Sequence, residues 1–170
     1  MRFRYAKSLA RAQRTDEAIE QYEQVLRLDP GIEDAHLALA GILTAAGRPE
    51  EALEHALAAY AIPPNKAPEL FRLGKAYRAL GRFTEALQAF RESSAAAPDI
   101  PDPCAAFAEA VLAKGDATPE ERREALACAR KANEIAGAAH PELAKLLAKI
   151  EELAARAAAV PDVPERPDGN

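Results

Sequence analysis

Two short patterns carry the clearest chemical potential in this chain: Phe3-Arg4-x-x-Lys7 and, much further along, Phe71-Arg72-x-x-Lys75, extended by Arg11 and Arg78. Lys and Arg hold carboxylates through charge-assisted hydrogen bonds, Arg with a planar fork, and a neighbouring Phe adds apolar contact. The chemistry on offer is recognition of an anion, not the making or breaking of bonds. Leu37, Ala38, Gly41 and Thr44 fall between the two basic clusters and are small or apolar. Small and apolar residues between cationic ones suit a peptide that brings carboxylates and one or two apolar anchors.

The remaining reactive residue types form no catalytic set. His36, His55 and His140 lie at unrelated phases, and Cys104 and Cys128 sit 24 apart with no C-x-x-C pattern and no histidine at ligand spacing. The cysteines read as two small helix-packing thiols, not as a disulfide or metal site. Acids cluster where helices should start, as in Asp16-Glu17 and Glu50-Glu51, and favour the helix dipole there. With no phosphate-cradling glycine loop either, the expectation is no enzyme, no cofactor and no metal.

The elements that must position the cations announce themselves by repetition. Glu17-Ala18-Ile19, Glu51-Ala52-Leu53 and Glu85-Ala86-Leu87 recur with a constant period of 34, and Pro30, Pro64 and Pro98 follow in step. A fixed period of this length means one supersecondary unit copied and stacked. The two Phe-Arg-x-x-Lys patterns stand two periods apart, at the same phase. Of the 170 residues 49% are apolar, mostly Ala, and only 5% are aromatic, which suits closely approaching helices and predicts an all-α chain. A net charge of −5 argues against non-specific nucleic-acid binding. No run reaches the ~18 to 20 apolar residues of a membrane span and no signal peptide opens the chain, so the cytoplasm is the expected compartment.

In the third unit the pattern runs Leu70-x-x-Leu73-Gly74-x-x-Tyr77, then Ala86-x-x-x-Phe90, then Pro98. This resembles the tetratricopeptide repeat, with Leu70 in place of the opening Trp. The resemblance implies a right-handed α-solenoid of about four helical hairpins with units near 1–32, 33–66, 67–100 and 101–136. It also implies that first helices line a concave groove, which would place Phe3, Arg4, Lys7, Arg11, Leu37, Gly41, Phe71, Arg72, Lys75 and Arg78 along a peptide-binding face. The family's carboxylate clamp for chaperone C-termini matches slots Phe3, Lys7, Ala38, Pro68 and Arg72, where only Arg72 agrees in identity, so clamp-type binding is not expected. Ala6, Ala40, Gly74 and Ala108 should allow close helix approach, and Gly47, Gly81 and Gly115 should close each first helix. His36 stands in the family's Trp slot and is expected to pack.

The fourth unit departs from the spacing: Glu124-Ala125-Leu126 follows the third copy at an interval of 39 in place of 34, five too many. Thr118-Pro119-Glu120-Glu121 reads as a capped helix start, so the insertion is a longer loop plus an early second helix. A stripe of Leu143, Leu146, Leu147, Ile150 and Leu153 with charges elsewhere predicts a capping helix within 137–159. Residues 160–170 are proline-rich and predict a disordered tail.

The basic N-terminus could suit a transit peptide, but it shares phase with the third repeat, which argues for a repeat helix instead. The leading expectation is a non-catalytic protein-protein interaction scaffold with a peptide or helical partner, neither nucleic acid nor membrane. One alternative is a substrate-presenting or regulatory segment of a larger multidomain enzyme, motivated by a start inside a unit and the proline-containing tail. Another is a self-associating structural protein using the uncapped first helix.

Overall fold

The computed structural model describes residues 2–62, 67–137 and 140–158. Pro64 and the expected disordered tail lie outside these residues. Among the described residues the chain forms helices and no strands: α1 (Arg2–Arg11), α2 (Thr15–Leu28), α3 (Glu33–Ala45), α4 (Pro49–Ala61), α5 (Ala67–Ala79), α6 (Phe83–Ala96), α7 (Pro101–Lys114), α8 (Pro119–Ala136) and α9 (Pro141–Ala158). Each odd helix through α7 pairs with the one after it, and each pair packs on the next. The architecture is the expected all-α helical repeat solenoid.

One turn is built three times. The Arg14, Arg48 and Arg82 amides donate to Leu9, Leu43 and Tyr77 carbonyls at 3.0, 2.9 and 2.9 Å, closing α1, α3 and α5 in the same way. This helix-terminating motif needs a residue at positive φ just before the arginine. Gly47 and Gly81 supply it at φ 73° and 71°, whereas the first unit uses Gln13 at 59°; in the fourth unit Gly115, at 80°, ends α7 with no arginine after it. The arginines occupy the N-cap positions of α2, α4 and α6 without capping a backbone amide. They fork instead onto Glu17, Glu51 and Glu85 in the first turn, at 2.5–2.9 Å.

Small residues let the paired helices approach. Ala6, Ala18, Ala40, Ala52, Ala86, Ala108 and Ala125 are all essentially inaccessible. Gly74 is the extreme case: a Cβ there would lie 2.6 Å from Cε1 of Phe90. Bulk opposite compensates for smallness at Gly74, where Phe90 fills the space, and the matching positions of the first two units share core clusters, Ala6 with Tyr22 and Ala40 with Ala56.

In the fourth unit the insertion is a longer loop followed by an early α8. Thr118 Oγ1 accepts from the Glu121 amide at 3.1 Å, and the Glu121 carboxylate accepts from the Thr118 amide at 2.8 Å. α9 lies against α8 and α7, with Leu146 and Ile150 buried and Leu143 and Leu147 packed on the same cluster. At the other end nothing among the described residues covers the outer face of α1. Tyr5 is 52% exposed, whereas its counterparts Leu39, Leu73 and Phe107 are 0%, 7% and 1% exposed.

Candidate functional site

The cations of the duplicated pattern converge on two hollows between successive odd helices. The first, about 280 Å³, is lined by Phe3 and Lys7 of α1, Asp34, Leu37 and Ala38 of α3, and Pro68 and Arg72 of α5, with Tyr22 behind. The second, about 260 Å³, is lined by Phe71, Lys75 and Arg78 of α5, Asp102, Ala105, Ala106 and Glu109 of α7, and Leu143 of α9. Five pairs correspond two units apart: Phe3 with Phe71, Lys7 with Lys75, Asp34 with Asp102, Leu37 with Ala105 and Ala38 with Ala106. The same hollow is therefore built twice.

Each wall has a structural cause. The Phe3 ring stands edge-on to Tyr22 at 5.7 Å between centroids, and Phe71 leans on Phe90 at 5.9 Å, so both groove phenylalanines rest on a core ring from the following helix. Gly41 leaves room for Arg72 to cross α3, since a Cβ would meet the guanidinium Nη1 at 3.2 Å. Lys75 sits over the Phe71 ring with Nζ 5.6 Å from the centroid. Partial burial pushes its ammonium pKa below the ordinary value, and the nearby Arg72 and Arg78 charges push the same way. A bound anion would relieve that penalty.

Sequence reasoning placed ten residues on this face. Phe3, Lys7, Leu37 and Arg72 meet in the first hollow and Phe71, Lys75 and Arg78 in the second, while Gly41 underlies Arg72. Arg4 and Arg11 are exposed on α1 and line neither hollow. The acids were missed. Asp34 and Asp102 stand in the first turns of α3 and α7, and Glu109 pairs with Arg78 at 2.5 Å. The first hollow thus sets two cations against one acid, and the second sets two against two. The doubled spacing of Asp34 and Asp102 was the available signal.

A larger hollow of about 520 Å³ lies away from α1, α3 and α7, walled by α4, α5, α6 and α8. Its floor is apolar, but its charges already have partners: Arg91 with Glu124, Glu85 with Arg82, Glu121 with Lys114. Among the described residues it offers no pair of cations comparable to Lys7 and Arg72 of the first hollow.

The histidines and cysteines also meet in ways their numbering concealed. His36 Nδ1 lies 3.0 Å from His55 Nδ1, and His36 Nε2 lies 3.1 Å from the Pro30 carbonyl, linking α3, α4 and the preceding turn. Cys104 and Cys128 hold the equivalent positions on α7 and α8, because their separation of 24 becomes the 19 of the histidine pair once the five inserted residues are removed. Both cysteines are free thiols. Among the described residues no group of three or more His, Cys, Asp or Glu could hold a metal ion, and no helix is long and apolar enough to cross a membrane.

Family models of the tetratricopeptide repeat match residues 3–67 and 67–100, more than half of the chain between them. The chain belongs to the tetratricopeptide repeat family. No curated protein sequence matches it. Among solved structures, TTC0263, a thermophilic tetratricopeptide repeat protein of Thermus thermophilus, is 22% identical, with 91% of this chain and 82% of that chain covered at a TM-score of 0.72. A MamA protein is 20% identical over 95% and 94% of the two chains at 0.66. MamA from Desulfovibrio magneticus RS-1 is 18% identical over 92% and 75% at 0.65. At these identities the likeness is one of fold. Tetratricopeptide repeats make protein-interaction scaffolds, in general non-catalytic ones.

Proposed function

We propose that this tetratricopeptide repeat array is a non-catalytic scaffold that holds an acidic peptide along its odd-numbered helices, with one carboxylate seated between Lys7 and Arg72. The observation that carries this reading is the first hollow. Cations from α1 and α5 face a shared apolar patch of Phe3, Leu37 and Ala38, against one acid, Asp34. An anion there gains charge-assisted hydrogen bonds from two helices that α3 holds apart, and an adjacent apolar side chain gains contact with the patch. Lys75, destabilised as a cation by burial and by its arginine neighbours, extends the preference for negative charge toward the second hollow.

The test is an array of short peptides in which Asp and Glu are paired with Asn and Gln counterparts around a Leu or Phe anchor. Wild-type protein should select the acidic members, and Lys7→Glu or Arg72→Glu should weaken them by about tenfold or more, the worth of one charged hydrogen bond. Helicity and melting temperature should barely change, because both side chains reach into the hollow and not into the core. Equal binding of acidic and amide peptides, or full binding by folded Arg72→Glu, would remove the assignment.

A second reading has its own observation. Tyr5 is 52% exposed at a position buried in every later unit, so no described residue covers this packing face of α1. We infer self-association through that face, with Tyr5 as its centre. Light scattering should show mass rising with concentration for the wild type and not for Tyr5→Lys. A monomer throughout ends this reading and leaves the groove proposal intact.

A further inference from the structure

Cys104 on α7 is 1% exposed and buried in the main core cluster, and Cys128 on α8 is partly exposed and packs against that same cluster. The two thiols face each other across the hairpin at the positions equivalent to His36 and His55, and each shifts the other's titration. Ser94 Oγ of α6 stands 3.1 Å from Cys104 Sγ. Around the outer sulfur, Lys131 lies on α8, and Arg91 of α6 is held by Glu124 at 2.7 and 2.6 Å. The site is a pair of sulfurs on two antiparallel helices, with the Ser94 hydroxyl beside Cys104 and the charges of Lys131, Arg91 and Glu124 acting on the pair.

We propose that Cys104 and Cys128 form a reversible disulfide that staples α7 to α8 when the chain meets a hydroperoxide. The pair shares its protons unequally. The neighbouring Cys128, reinforced by Ser94 and Lys131, holds the Cys104 thiol below its ordinary value against its burial, while Cys104 and burial push Cys128 up. Cys128 is the sulfur that solvent reaches, and the buried Cys104 sulfur beside it takes up its proton as it reacts.

The Cys128 sulfur attacks one peroxide oxygen: an S–O bond forms, the O–O bond breaks, and the departing oxide takes up a proton. The second thiol, giving up its proton, then attacks the sulfenic sulfur; an S–S bond forms, the S–O bond breaks, and water leaves. The two sulfurs together lose two electrons and the peroxide gains them, so two thiols and hydrogen peroxide become one disulfide and two waters. The buried partner waits beside the oxidised sulfur, which favours the staple over further oxidation. The stapled helix α7 is the one that walls the second hollow with Asp102, Ala105 and Ala106.

The experiment treats the native full chain with hydrogen peroxide, blocks remaining thiols with iodoacetamide, and maps peptides by mass. The expected result is a peptide pair linked through Cys104 and Cys128, lighter by two hydrogens, with a raised melting temperature, both reversed by dithiothreitol. In Cys128→Ser the melting temperature should no longer respond to peroxide. Unreacted thiols in the native chain, sulfinic or sulfonic acid at Cys128 without a link, disulfide dimers between chains, or a peroxide response that persists in Cys128→Ser would each overturn the proposal.

Discussion

Gly74→Ala should destabilise the protein although it improves helix propensity. The added methyl would lie 2.6 and 2.7 Å from two Phe90 ring carbons, where ordinary contact begins at 3.4 Å, so the ring must retreat by at least 0.8 Å, the difference 3.4 − 2.6. Phe90 has little room to do so, being 0% exposed and backed by Phe71. Overpacking of this kind costs about 1–3 kcal/mol, and the tight placement argues for the upper end. Replacing Gly by Ala inside a helix returns about 1 kcal/mol, leaving a net loss of about 2 kcal/mol. Phe90→Ala alone should cost about 3–5 kcal/mol. In the Gly74→Ala background it should cost about 3 kcal/mol less, because the whole clash leaves with the ring while the gain in helix propensity stays. Urea unfolding followed by circular dichroism on the four proteins measures both numbers. A Gly74→Ala protein as stable as wild type, or a coupling below about 0.5 kcal/mol, would show that Phe90 does not occupy the place assigned to it.

Three further outcomes follow from single positions. Gln13 adopts φ 59° where the other units have glycine, so Gln13→Gly should stabilise by about 0.5–1 kcal/mol, the left-handed strain less the added unfolded entropy, read by urea unfolding. Gly41→Ala should leave stability unchanged or slightly improved while displacing the Arg72 guanidinium, so acidic-peptide affinity should fall with no loss of melting temperature. Burial, then repulsion from His36 of α3, holds His55 below its ordinary 6.5 despite Glu23 of α2 and Glu51 and Glu54 of α4. Folding favours the neutral ring, so this contribution is full above 6.5 and lost as pH falls from there through the folded value. The melting temperature should drop over that window in wild type and drop less in His55→Gln; equal slopes would refute the coupling.

Features that every unit must satisfy were legible in the sequence. Two helices can cross closely only over small side chains, so Ala6, Ala40, Gly74 and Ala108 recur, and the tight turn that closes each first helix uses positive φ, so Gly47, Gly81 and Gly115 recur. The capping box at Thr118 was legible for the same reason, since it solves a backbone problem with side chains at fixed offsets. Pairings across a hairpin were not. His36 and His55 share no repeat phase because they belong to different helices of one unit, and the five-residue insertion disguised Cys104 and Cys128 as an unrelated spacing. The groove acids escaped because first-turn carboxylates read as helix-dipole partners, and only the stacking of helices turns Asp34 and Asp102 toward the neighbouring lysines' hollows.

The core repeats with every unit, whereas the groove repeats with every second unit, and the difference separates what packing demands from what a surface can carry. Packing imposes the same constraint on each unit. The groove face is under no such constraint, so Phe-Arg-x-x-Lys on odd units and a first-turn Asp on even units give each hollow one basic wall and one acidic corner. The two copies then differ where their neighbours differ. Arg72 reaches the first hollow across Gly41 and leaves it with surplus positive charge, while Glu109 engages Arg78 in the second and Leu143 of the capping helix adds an apolar edge. On the proposed reading, a peptide laid along the odd helices places its carboxylate against Lys7 and Arg72 and an adjacent apolar side chain on Phe3, Leu37 and Ala38, and the charge-balanced second hollow takes no anion. That polarity is open to reversal: Glu109→Gln frees Arg78, adds net positive charge to the second hollow, and should let acidic peptides bind there as well. A peptide array unchanged by Glu109→Gln would mean that charge balance does not decide which hollow takes the anion.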